Sequence, residues 1–404
     1  MVTSLAVACV ISDHLLLPAV VVAALFWPLR WLVQGRLSVR TPLDMPAIAL
    51  VLMLPVTLLA TPLLEITLPQ VYRLLVGMLL CFAIINHIWI PAGLRGVMLG
   101  LVGLGVALSL AALMSVNWAV DKLGLIPVGI LKDLPRLIGE QVHPNVMAGT
   151  LILLVMFGVA WLLFGGRQIN WWGRILLILA SGFTLIVLVF TQSRGAWIGL
   201  AAGLAALIIF RWPRWGTVAV VAIGLAGGLF AASHPGLVQE FINGNGGDVN
   251  VTSLHDRVVI WARAIIQIKD FPLTGLGMGT FPYVSRVLYP IFFLTMGDVP
   301  HAHNLFLQIA IDLGLPGLAA WLTMAIIVVR CAWQIYRAGL RQMDWLAGMG
   351  AGLLAALVAL AIHGIVDAAT WGSRPAVVVW GLWGLAIAGW LMVRRDSSGV
   401  KLKI

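Results

Sequence analysis

The stretch GDVPHAHNLFLQIAIDLGLPG, residues 297–317, places two histidines, His301 and His303, one residue apart at the start of a long apolar segment. An imidazole titrates near neutral pH, and burying one without a partner costs free energy. Three roles suit the pair: a proton acceptor, a metal ligand, or a cap on the helix beginning near residue 303, with Asn304 assisting. His301, farther from the apolar segment, suits the cap better. His303 suits a general base that takes the proton of an attacking hydroxyl. Such chemistry needs cations to stabilise the departing charge, and the candidates are Arg194 in TQSRGAWIGL and Arg257 in HDRVVIWARAIIQIKD. Two guanidiniums at one site suit a phosphate or pyrophosphate, because the planar fork matches its oxygens and keeps its charge. The plainer readings are a snorkelling anchor for Arg194 and a surface ion pair with Asp256 for Arg257.

Metal chemistry finds less support. The HAH pair lacks third and fourth ligands nearby, and Asp248, Asp256, Asp270 and Asp298 are too scattered to gather a hard cation. No metal and no cofactor are therefore expected. GLGMGTF, residues 275–281, lacks the spacing, the preceding strand and the following helix of a dinucleotide fingerprint, and reads as a turn.

The elements that must position these residues are membrane spans. The chain is 61% hydrophobic and 10% charged over 404 residues. Apolar runs long enough to cross a bilayer fall near residues 14–33, 45–63, 71–90, 96–116, 146–164, 174–191, 195–210, 215–232, 303–329, 346–366 and 375–393. A short extra helix before them brings the expected count to eleven or twelve. The expectation is an all-α polytopic membrane protein of about 12 transmembrane helices. Residues 1–404 then form a single integral membrane domain. Cys9, Cys81 and Cys331 are scattered in apolar runs and read as small core residues.

Arg30, Arg36, Arg40, Arg95, Arg167, Arg174, Arg211, Arg214, Arg330, Arg337, Arg341, Arg394, Arg395, Lys401 and Lys403 occupy every second connection, the positive-inside pattern of cytoplasmic loops. The basic balance thus needs no nucleic acid. The other connections, residues 117–145, 191–197, 233–302 and 363–375, then face outward and carry the unusual residues. The large loop at 233–302 contains a helical stretch, in which Val258, Trp261 and Ile265, or Ala262 and Ile266, can form one apolar face over the membrane surface. A transporter would need acids in mid-span and a repeat between its halves, and neither is evident.

TQSRGAWIGL, DRVVIWARAIIQIKDFPLTGLGMGTF and HAHNLFLQIAIDLGLPG, in that order, resemble the O-antigen ligase and polymerase superfamily of bacterial inner-membrane glycosyltransferases; HPNVMAGTL at 143–151 looks like its upstream HPN element. The resemblance covers roughly residues 140–370. It implies that His303 is the catalytic base and that Arg194 and Arg257 hold the diphosphate of an undecaprenyl donor. His143 and Asn145 match the HPN element; Arg263, Lys269 and His301 are candidates for lining the same site, and His363 with Asp367 for orienting a partner. It further implies a metal-independent inverting glycosyltransferase of the inner membrane with its site facing the periplasm. The partners would be the undecaprenyl diphosphate-linked O-antigen, the lipid A-core acceptor and membrane lipids, with the protein a monomer or weak oligomer. One large outer loop suits the ligase. A polymerase or a protein O-oligosaccharyltransferase of the same superfamily is the alternative; the protein-glycosylating members are expected to be longer.

Overall fold

The computed structural model describes residues 16–87, 90–116, 118, 142–165, 169–243, 254–290, 299–342 and 344–398. Among these residues the regular structure is helical, with one isolated bridge between Val116 and Val142. The helices are α1 (Leu16–Gln34), α2 (Asp44–Ala60), α3 (Leu64–His87), α4 (Pro91–Ser115), α5 (Pro144–Phe164), α6 (Trp171–Phe190) and α7 (Arg194–Arg211). They continue as α8 (Pro213–Ser233), α9 (Pro235–Asn243), α10 (Leu254–Asp270), α11 (Phe281–Leu288), α12 (Leu305–Gln342), α13 (Asp344–Val366) and α14 (Val377–Ser398). Ten are long and apolar enough to cross a membrane, and α2, with 17 residues, is a shorter apolar helix. The multi-span all-α expectation is met. The extra helix expected before residue 14, most of the connection 117–145, and the acids Asp248 and Asp298 lie outside the described residues.

Two boundaries differ most from those read off hydropathy. α12 runs to Gln342 rather than stopping at 329, because arginine and glutamine end an apolar pattern without ending a helix. α3 begins at Leu64 rather than 71, its first turns concealed by Thr67, Pro69 and Gln70.

α5 is apolar on every side and buried along nearly its whole length, so it forms the centre of the bundle. α13 packs against α5, α7 and α12. On α7, Gly199 and Gly203 face α13 so closely that a Cβ would lie 2.9 Å from Ala359 O and 3.0 Å from Ala355 O respectively. Small residues allow such contact where lipid removes the hydrophobic drive for helices to associate. The contact sets the start of α7, and with it Arg194, beside the end of α13.

α12 is broken at Gly314, whose φ of 69° and ψ of 177° are not helical. A break among apolar helices frees backbone groups that must be satisfied. The glycine-rich turn supplies the partners: Leu276 N donates to Ile311 O at 2.7 Å, and Leu315 N donates to Pro272 O at 2.7 Å. Thr57 Oγ1 of α2 donates to Asp312 O at 2.8 Å. Gly275, Gly277 and Gly279 all have positive φ, as a turn of this kind requires. LTGLGMG and DLGLPG are thus two halves of one docking arrangement.

α10 forms as expected, and its sides differ in burial. Ile260, Ala264 and Gln267 are buried, whereas Val258, Ile265 and Ile266 are exposed. The buried side enters a second small core with Leu276, Phe281, Val284, Val299, Ala302 and Ile311. Apolar residues surround α10, so only its packing partner decides which side turns inward.

Candidate functional site

Asn304 caps α12. Its Oδ1 accepts from Phe306 N and Leu307 N, each at 3.0 Å, and its Nδ2 donates to Ile365 O at 2.9 Å. This corrects the reading of His301 as the cap: a side-chain amide satisfies the free N–H groups of the first turn and also ties α12 to the end of α13. The histidines are left for other work. His303 N donates to His301 Nδ1 at 3.2 Å, Trp261 Nε1 donates to His303 O at 3.2 Å, and Ala302 N donates to Gln308 Oε1 at 2.8 Å. These contacts hold His303 at a φ of 47°. Among the described residues one other non-glycine residue has positive φ, Gln192 at 51°, in the TQSRG turn. Left-handed backbone at such residues costs about 1–3 kcal/mol and persists where neighbours over-determine it. Both strained residues lie in segments that the sequence marks as carrying chemistry.

The two histidines converge on Asp367, the residue that follows α13. His301 Nε2 lies 3.8 Å from Oδ1 and His303 Nδ1 4.0 Å from Oδ2, and the imidazole centroids are 4.4 Å apart. Asp367 is otherwise fixed by Ala369 N, which donates to Oδ1 at 2.9 Å, and by Asn145 Nδ2, which donates to Oδ2 at 3.0 Å. The HPN element therefore has two tasks. His143 caps α5, its Nδ1 accepting from Asn145 N at 3.2 Å, and Asn145 reaches across to the carboxylate. Asp367 and His303 are both buried.

Arg257 shares the inward side of α10 with Ile260 and Ala264, and its charge acts on Asp367 and both histidines. Arg194, the first residue of α7, is near enough to Arg257 for the two charges to repel. By helical geometry Arg263 and Lys269 point about 120° to either side of Arg257 around α10. The fold does not bring them to the cluster. His363 sits one turn below Asp367, wedged between α5 and α7, where a Cβ on Gly149 would lie 2.9 Å from its Cε1.

Burial, then the charge of neighbouring His301, pushes the His303 imidazole down to about 3. Burial likewise lowers His301, against the pull of Asp367. For Asp367, burial acts to raise the carboxyl, but the three histidines and Arg257 outweigh it and hold the group well below the usual carboxylate range. At neutral pH the site is thus a set of neutral imidazoles beside one carboxylate and two guanidiniums. Its excess charge is positive, and an anion complements it.

His301, His303 and Asp367 also present three atoms within 4.8 Å of one another that could hold a metal ion. The hydrogen bonding favours a different use. A metal-bound imidazole ordinarily donates its second ring N–H to a neighbour. Here His301 Nδ1 accepts from a backbone N–H, so its proton resides on Nε2, facing Asp367.

Residues 179–322 match the family model described as O-Antigen ligase. That segment is similar to the O-antigen ligase family. The match supports the O-antigen ligase superfamily, whose members are glycosyltransferase-like enzymes. No curated protein matches the chain. The O-antigen ligase match includes Arg194, Arg257, His301 and His303, but not Asn145 or Asp367. Asp367 is the residue that sequence reasoning undervalued, naming it only with His363 as a candidate for orienting a partner. Its available signal was position: an acid at the end of an apolar span, in HGIVDAATWGSRP.

Proposed function

We propose that this protein is an O-antigen ligase that transfers the polysaccharide from undecaprenyl diphosphate to lipid A-core oligosaccharide on the periplasmic side of the bacterial inner membrane. The observation that carries this reading is the convergence of His303, Asp367, Arg257 and Arg194, drawn from four separate helix ends, on one buried and net positive site. Two guanidiniums suit the donor diphosphate. His303 turns Nδ1 toward Asp367, which leaves Nε2 on the far side of the ring to accept a proton. The acceptor hydroxyl oxygen forms a bond to the anomeric carbon as that carbon's bond to the diphosphate breaks; the proton passes to His303 Nε2, and the released negative charge falls on the arginines. Attack opposite the leaving group inverts the anomeric centre.

Burial lowers His303 most, and Arg257 adds to it; a bound diphosphate offsets the arginine's charge and so favours the protonated imidazole. The distance of 4.0 Å between His303 Nδ1 and Asp367 Oδ2 is expected to shorten as the imidazole takes up the proton. The test is a lipopolysaccharide gel from the host with the gene deleted and restored. Bare lipid A-core with finished polymer left on its carrier supports the ligase; core bearing a single repeat means a polymerase, and an unchanged ladder removes both. Restoration with His303→Ala should reproduce the deletion while the protein is still made, and a restored ladder would remove His303 from the base role.

A further inference from the structure

Arg73 stands in α3 nine residues after its first residue, about 14 Å along the axis at the rise of an α-helix. An arginine within an apolar span is costly and calls for a partner and a reason. One partner is the turn after Asp367: Arg73 Nη1 donates to Gly372 O at 3.0 Å. Gln70, one turn earlier on α3, completes the grip. With its amide turned to suit its neighbours, Gln70 donates to the same carbonyl and accepts from Arg73 Nη1 at 3.1 Å.

The turn is shaped for this grip. Gly372 has a φ of 67°, and a Cβ there would lie 2.9 Å from the Gln70 amide, so any side chain would both strain the backbone and push α3 away. From Gly372 the chain of contacts runs back to the carboxylate. Trp371 N donates to Ala368 O at 2.9 Å, Ser373 Oγ donates to Ala369 O, and Ala369 N donates to Asp367 Oδ1 at 2.9 Å. The segment 367–373 thus has Asp367 at one end and Arg73 at the other.

We infer that Arg73 is a positioning residue: together with Gln70 it clamps Gly372 O and thereby fixes the turn that presents Asp367 to His301 and His303. This rests on the reading of that cluster as the transfer site. Arg73 touches no reacting atom and acts through Asp367.

The experiment uses the purified full-length protein in lipid nanodiscs with its lipid diphosphate donor. Arg73→Gln should lower kcat about tenfold to a hundredfold, the scale of a misplaced catalytic group, at an unchanged donor KM. Arg73→Lys, which keeps one donor and the charge, should recover part of that loss. In an Asp367→Asn background the same Arg73→Gln change should cost little more, because its effect passes through the missing carboxylate. An unchanged kcat, or losses that multiply independently, overturns the inference. If Arg73→Gln does not fold, Gly372→Ala tests the same clamp with the arginine intact. Modification of His301 and His303 by diethyl pyrocarbonate, followed by mass spectrometry against pH, needs no transfer reaction. Arg73→Gln should shift that pH profile, and an identical profile overturns the clamp even if the wild type proves to transfer nothing.

Discussion

Two buried carboxylates in this protein have opposite surroundings. Asp312, in the first half of α12, is bonded to neutral donors: Gln308 Nε2 at 2.9 Å and Gly279 N at 3.2 Å to Oδ1, and Trp371 Nε1 at 2.8 Å to Oδ2. These join α12, the glycine turn and the turn after α13. Asp367 also accepts two neutral hydrogen bonds, but its remaining neighbours are ionisable, and the nearer histidine nitrogens stand at 3.8 and 4.0 Å. Direct bonds to neutral donors settle a fold. Near contacts among groups that exchange protons leave a site able to tighten when a substrate arrives.

Exchanging each carboxylate for its amide should separate the two roles most sharply. Asp367→Asn should lower transfer about 10²- to 10⁴-fold, the range for removing a general acid–base component, while the protein melts near the wild-type temperature. Asp312→Asn must turn an N–H₂ group toward at least one of three existing donors, which costs about 1–3 kcal/mol and should appear as a lower melting temperature. A stable Asp312→Asn protein together with an unstable but active Asp367→Asn one would reverse the comparison.

The next effect in size belongs to the cations. Arg257→Lys keeps a charge but loses the fork, so kcat/KM should fall roughly tenfold to a hundredfold, with donor KM rising. A wild-type kcat/KM would detach Arg257 from the diphosphate.

The smallest effect is on pH. His303 is lowered in the folded protein by burial and then by His301, so it binds fewer protons folded than unfolded. Its neutral form therefore favours the fold above the ordinary histidine value, and stability declines as pH falls from about 6.5 toward 3. Asp367, held low, adds a loss of the same sign only below the ordinary carboxylate range. In activity, the acid limb of kcat/KM should lie below the ordinary histidine range, because that ratio reports the free enzyme. A limb near pH 6.5 would mean that the imidazole is not desolvated as the fold implies.

The sequence by itself determined the environment, the spans and much of the chemistry. Composition compels helices because lipid offers the backbone no other partners, and that holds wherever the helices lie relative to one another. His303, Arg194 and Arg257 were legible because charged or titratable groups beside apolar runs are costly enough to need a reason. Tertiary structure decided everything that depends on which face meets which. It chose Ile260 and Ala264 as the side of α10 that packs inward, and it gave the cap of α12 to Asn304 rather than His301. It also carried Asn145 and Asp367, 222 positions apart, to within 3.0 Å. No local pattern encodes that last contact, because it follows from the close packing of α13 against α5 and α7, which glycines permit but only the assembled bundle enforces.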